Sequence, residues 1–243
     1  MYEPRTYRQW NQARDLVSFR LAVKESDLHV SATVNLKSKT ERLVVKYREK
    51  LEKYIETHPV FLTSLNPVPV EENAPDIVRM MADASAKVGV GPMAAVAGAI
   101  NELVAGELLA FSPELIIENG GDIYLRSQKK RVVGIYAGNS PLSGKIGLEI
   151  EAKDTPCGVC TSSGTVGHSL SFGRADAVTV ISPSTALADA CGTATGNRVR
   201  TVEDIPKAIE FASQIPGITG VLIIMGDKVG AWGSVKIVET KKG

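Results

Sequence analysis

The sequence predicts an α+β protein, on three observations. Helical periodicity is concentrated in two separate blocks. The strand-like segments are short and follow one another at hairpin spacing. A single largely apolar strand, Ala177–Ile181, lies between polar small-residue stretches. Segregated helices and closely spaced strands favour mostly antiparallel sheets with helices packed against them over a βαβ repeat.

The elements follow in order. Residues 17–23 and 28–34 alternate apolar and polar side chains around Lys24–Asp27, which predicts a β-hairpin. Residues 38–58 place Leu43, Val44, Tyr47, Leu51, Tyr54 and Ile55 on one helical stripe. Residues 59–73 contain three prolines and read as a connector. Residues 75–87 and 93–109 are the next helices, separated by Val88-Gly-Val-Gly-Pro. Strands are then expected at 115–117, 123–125, 132–137, 145–150, 158–161 and 177–181. Helices at 183–195 and 201–214 follow, and strands at 220–225, 231–232 and 235–239 close the chain.

With 243 residues, 44% hydrophobic and 23% charged, the chain can bury one large core, and a single domain over 1–243 is expected. A net charge of +1 gives no reason to expect nucleic acid or an anionic membrane surface as partner. Asn101, Glu102 and Glu107 interrupt the longest small and apolar stretch, so it reads as a buried helix and not as a membrane span. Three cysteines and a polar N-terminal start predict a reducing, cytoplasmic setting with free thiols.

The chemistry is concentrated in residues 156–197. Ser182 and Pro183 are suited to the N-cap and first position of a helix. Asp189 then sits two turns inside, too deep to be held by its own helix dipole. Thr193 falls on the same face four residues later. A carboxylate and a hydroxyl so spaced can present hard oxygens to Mg2+, whose other positions go to waters and phosphates. A solvent-facing aspartate is the ordinary alternative. Asn119-Gly120-Gly121-Asp122 is either a tight turn or a ligand loop. Thr161-Ser162-Ser163-Gly164 offers hydroxyls and N–H groups that suit phosphate, or is a plain polar loop. His168 is one of three histidines and is a candidate for acid–base work or phosphate contact. Cys157 and Cys160 form a CxxC with no second pair, so zinc is not expected.

Taken in order, Asn119-Gly-Gly-Asp-Ile, Thr161-Ser-Ser-Gly, the Val-Thr-Val strand and Ala188-Asp189-Ala190 with Thr193 resemble the ApbE flavin transferases. The segments GPMAAVAGA (91–99) and CTSSGTVGHSLSFGRADAV (160–178) are similar to the ApbE-like UPF0280 group. The resemblance implies an ApbE-like fold that binds FAD and Mg2+. It also implies transfer of FMN to a Ser or Thr of an acceptor flavoprotein, or pyrophosphatase action on FAD. By the same carry-over, Asp189 and Thr193 would be the side-chain metal ligands, with a backbone carbonyl near Ala94–Gly98 completing the set. Asn119, Gly120, Gly121, Asp122, Thr161, Ser162, Ser163, Gly164 and His168 would line the flavin nucleotide, with His168 and Asp189 catalytic. The alternatives are a non-catalytic flavin or nucleotide binder and a thiol-dependent protein of anaerobic sulfur and homocysteine metabolism. A homodimer is compatible with each. Three departures are visible: the aspartate of the transferases' H-I-I-D-P segment is Ser171 here, the loop between Thr161-Ser-Ser-Gly and His168 is much shorter, and the Lys-Gly of their early helix has no counterpart because Ala95–Gly98 carries no lysine.

Overall fold

The fold is built on one large antiparallel sheet whose two faces are covered differently. The structure is a computed structural model that describes Ala13, residues 15–165 and residues 171–240. The chain opens with the hairpin β1 (Val17–Val23) and β2 (Ser26–Ala32), in which Val23 pairs with Ser26. The turn is therefore two residues long, tighter than the 24–27 connection expected from the sequence. Helix α1 (Lys37–Thr57), the single turn α2 (Val60–Thr63) inside the expected connector, α3 (Asp76–Val88) and α4 (Val96–Leu108) follow. A short 3-10 turn, Pro92–Ala95, leads into α4.

Two strands, β3 (Leu115–Asn119) and β4 (Asp122–Arg126), form the next hairpin, then come β5 (Arg131–Gly134), β6 (Ile146–Ile150), β7 (Cys157–Ser162) and β8 (Ala177–Ser182). Helices α5 (Thr185–Gly196) and α6 (Ile205–Ser213) precede β9 (Gly220–Met225), β10 (Lys228–Gly233) and β11 (Ile237–Glu239). The large sheet runs β1-β2-β3-β4-β7-β8-β9-β10, and a three-stranded sheet runs β11-β6-β5. Every pairing is antiparallel, as the short strand spacing predicts.

Side-chain alternation divides the buried residues into two cores. On one face, Ile117, Tyr124, Cys160, Val178, Val180, Val221 and Ile223 pack beneath the helices. On the other, Ile123, Leu125, Val159, Ala177, Ile181 and Leu222 meet Val133, Leu148 and Ile150 of the small sheet. The central strand β8 is buried along its whole length, in keeping with its apolar composition.

The helix that carries Asp189 is drawn unusually close to the sheet. A Cβ on Gly158 of β7 would lie 2.5 Å from Thr185 Cα, so only glycine admits the start of α5 here. The rest of α5 is almost wholly Ala, Gly, Cys and Thr, which leaves no bulk to hold it off. Among the described residues, no single helix is long and apolar enough to cross a membrane. The small and apolar stretch that Asn101 interrupts is α4, and its Gly98, Ala99, Ile100, Asn101, Val104, Ala105 and Leu108 are buried in the protein.

Candidate functional site

The site forms where the start of α4, the middle of α5 and the β3–β4 hairpin meet on the helix-covered face of the large sheet. Helix α5 is capped by Ser184, whose hydroxyl accepts the Leu187 N–H. This corrects the expectation that Ser182 is the N-cap. The Ser182 hydroxyl instead accepts the Ser184 N–H, so β8 continues one residue further and the helix starts two residues later. The shift leaves Asp189 and Thr193 on one face, because their spacing is unchanged.

Asp189 is neither solvent-facing nor isolated. Its carboxylate accepts the backbone N–H of Gly98 at 2.9 Å and also that of Ala97. Both belong to the first turn of α4, which has no cap of its own. Asp189 thus sits at the positive end of a neighbouring helix, not of its own. The favour is returned: Glu102 of α4 accepts the Ser184 hydroxyl at 3.0 Å and the Ala186 N–H at 3.1 Å, at the start of α5. The two helices cap one another. Gly98 makes this contact possible, since a Cβ there would lie 2.4 Å from Thr185 O and 2.9 Å from Asp189 Cβ.

The hairpin supplies the second carboxylate. Asn119 pairs with Asp122 across Gly120 and Gly121, whose φ angles are +70° and +107°. Two successive positive φ values are what a two-residue hairpin turn needs, so both glycines are structural in this respect. Glu118 accepts the Gly121 N–H at 3.1 Å and tightens the turn. Asp122 faces Cys160 across β4 and β7 on the helix side of the sheet. Burial, then the charge of Asp189, then that of Glu118 push the Asp122 carboxyl well above the usual carboxylate range. Hydrogen bonds from the Cys160 thiol and the Thr161 N–H work against the rise without cancelling it. Burial also pushes the Asp189 carboxyl up, to about 7, against the pull of the Gly98 and Ala97 N–H groups. Two carboxylates brought this near in a low-dielectric setting resist simultaneous ionisation.

The remaining predicted residues separate. Ser162 packs beside α5 at Gly192, next to Thr193. Thr161 does not join them with its side chain: β-strand alternation turns it to the opposite face, where its hydroxyl meets that of Thr179 at 2.9 Å. Its backbone N–H still reaches the hairpin, at Gly121 O. Ser163 accepts the Thr165 N–H, and the Gly164 N–H donates to Ala175 O, so these two residues shape a loop base. His168 lies outside the described residues. Among the described residues, no three His, Cys, Asp or Glu side chains gather as a metal centre.

The CxxC is divided between the two cores, Cys157 on the small-sheet side and Cys160 under the helices. Three residues of strand separate their Cα atoms by about 10 Å, too far for a disulfide. Burial pushes the thiols up, Cys157 to about 12 and Cys191 to about 11, and Cys160 rises well above its ordinary value by burial and the nearby Asp122 and Asp189. All three cysteines are free and buried. None supplies a thiolate at neutral pH. Native protein exposed to iodoacetamide at pH 7.5 is therefore expected to stay unmodified by mass spectrometry at all three positions until denaturant is added.

Sequence reasoning brought residues 94–98 to the site only through a backbone carbonyl, and passed over the hydrogen-bonding roles of four contributors. The Ala97 and Gly98 N–H groups carry no side-chain signal. Asn101 and Glu102 stood out only as polar interruptions of an apolar helix, which was the one available hint of a buried polar role.

This architecture, a large antiparallel sheet with helices on one face and a small sheet on the other, has the fold of the ApbE flavin transferases. The chain superposes on the flavinyl transferase ApbE of Pseudomonas stutzeri with a TM-score of 0.61 at 16% identity, covering 90% of this chain and 94% of that one. The ApbE protein of Thermotoga maritima gives 0.59 at 13% identity, over 88% and 96%. At sequence level the chain belongs to the family described as AbpE bacteria, whose model matches residues 8–230. Among its relatives, a UPF0280 protein of Methanocaldococcus jannaschii is 45% identical over 230 residues, 92% of this chain and 93% of the relative. A UPF0280 protein of Methanocella arvoryzae is 47% identical over 197 residues, 80% of each chain.

Proposed function

We propose that this protein binds FAD with a divalent cation and cleaves its pyrophosphate, transferring FMN to a hydroxyl of an acceptor flavoprotein. The observation that carries the reading is the pair of half-buried carboxylates, Asp189 from α5, held at the α4 N-terminus, and Asp122 from the hairpin, near enough to feel the Asp189 charge. A buried like-charged pair is costly on its own and is relieved by a cation. The donor set is hard oxygen, which suits Mg2+. Asp189 and Thr193 would hold the ion, and bound there it would neutralise charge on the pyrophosphate.

The chain's own residues divide the remaining work. Asn119–Asp122 and the Thr161–Gly164 segment flank the place where the nucleotide lies, with Gly120 and Gly121 allowing close backbone approach. In the transfer, the acceptor hydroxyl oxygen forms a bond to the FMN phosphorus and the bond from that phosphorus to the AMP oxygen breaks. AMP leaves, and the hydroxyl proton passes to a base, the role we assign to His168. With water as acceptor the same exchange yields FMN and AMP.

One observation favours a second reading, a flavin binder without transfer chemistry: Ser171 stands where the transferases' motif carries an aspartate. The buried, protonated thiols give the sulfur-metabolism alternative no nucleophile. Incubating the protein with FAD and Mg2+ and following AMP and FMN by chromatography, beside an Asp189→Ala control, separates the readings. AMP release by the parent and not by the variant is the expected result. Saturable FAD binding without AMP would leave the binder, and no FAD binding would defeat both.

A further inference from the structure

Helix α4 grips the site at more than the Asp189 contact. One turn beyond Gly98 stands Asn101, fully buried and the only buried polar side chain of that helix. Its amide nitrogen donates to Asp122 O at 2.8 Å and, more weakly, to Ile117 O at 3.4 Å. Both partners are carbonyl oxygens, so the orientation of the amide is settled by chemistry: only the NH2 end can face them. The two carbonyls belong to opposite strands of the β3–β4 hairpin, and the amide therefore spans the root of the turn that carries Asp122.

This arrangement has a cost that packing does not explain. Among the described residues, neither the buried Asn101 Oδ1 nor Thr185 Oγ1 at the start of α5 has a hydrogen-bond partner. An unsatisfied buried acceptor typically costs about 1–3 kcal/mol, whereas a leucine of similar size would fill the same volume without it. The other buried positions of α4 are Gly, Ala, Ile, Val and Leu. A polar group kept among them, aimed at the backbone of a site residue, calls for a role beyond filling space.

We propose that Asn101 is a positioning residue: its amide locks the Asp122 hairpin to the helix whose first turn holds Asp189, and so sets the spacing of the two carboxylates. The inference rests on reading that pair as the cation and nucleotide site. Through Gly98 and Asn101, a single rigid helix fixes one carboxylate from each side, and neither can move without the other's anchor.

The test uses Asn101→Leu and, in case that variant folds poorly, Asn101→Ser, which is smaller and keeps one donor. Mn2+ alone is titrated against each protein by electron paramagnetic resonance. Hydrogen exchange is followed at residues 119–123 and along α4, and thermal unfolding is recorded in parallel. The expected result is Mn2+ affinity weakened by about tenfold or more, the scale seen when outer-shell partners of metal ligands are removed. Exchange should accelerate in the hairpin but not in α4. Affinity within twofold of the parent, with hairpin exchange unchanged, would overturn the proposal whatever happens to the melting temperature. A parent protein that binds no Mn2+ would count against the cation reading instead, and the hairpin exchange would still decide whether Asn101 positions Asp122.

Discussion

Replacing Asp189 by asparagine is expected to abolish cation-dependent AMP release and, at the same time, to stabilise the metal-free protein at pH 8. The two effects share one cause. The Asp189 carboxyl is held up at about 7 in the folded protein by burial, against an ordinary value of 3.8. Folding therefore favours its protonated form. Stability from this group is complete below about pH 4 and is lost as the pH rises towards and through 7, the reverse of the usual behaviour of a salt-bridged carboxylate. Asparagine keeps the shape and an oxygen for the Gly98 N–H but carries no charge to bury. Allowing for partial exposure, the gain at pH 8 is on the order of 2 kcal/mol, or roughly 5 °C in melting temperature for a protein of this size. Differential scanning fluorimetry across pH 4–8 with chelator present checks it. A melting temperature that drops equally at every pH would show that the carboxylate serves only as a helix cap.

Gly98→Ala is expected to produce a large loss of stability and of site geometry together. The new Cβ would lie 2.4 Å from Thr185 O and 2.8 Å from Thr185 C, contacts with backbone that cannot rotate away. Helix α5 must retreat from α4, which breaks the mutual capping by Asp189 and Glu102. Overpacking of this kind costs about 1–3 kcal/mol, and loss of a cap adds about 1 kcal/mol. Urea unfolding is expected to show a combined destabilisation of roughly 3 kcal/mol, together with loss of divalent-cation binding. Gly106, on the exposed side of the same helix with open space around it, is the control. Gly106→Ala should be neutral or mildly stabilising by helix propensity.

Much of the fold was legible because local rules decide it. The alternation in residues 17–23, the stripe of α1 and the apolar run of β8 each report a period that one packed face imposes. The Asn-Gly-Gly-Asp turn is similarly local, since its positive φ angles demand glycine. Errors arose where a long-range partner overrides a local preference. Ser182 looks like a cap in isolation, yet strand pairing with Gly158 extends β8 through it and passes the role to Ser184. Thr161 looks like a phosphate-facing hydroxyl until its strand parity sends it to Thr179.

By itself the sequence determined the α+β class, the order of the elements, and the placement of Asp189 and Thr193 on one face of a small-residue helix. Those features depend on residues a few positions apart. Only the tertiary structure decided that Asp189 caps α4, that Asp122 stands beside it, and that Asn101 ties the hairpin to the same helix. Gly98 and Asp189 are 91 positions apart, and Asn101 and Asp122 are 21 apart. No periodicity links such pairs. They meet because glycines at 98 and 158 let α4, α5 and β7 approach to backbone contact, a closeness set by packing and not by any one segment.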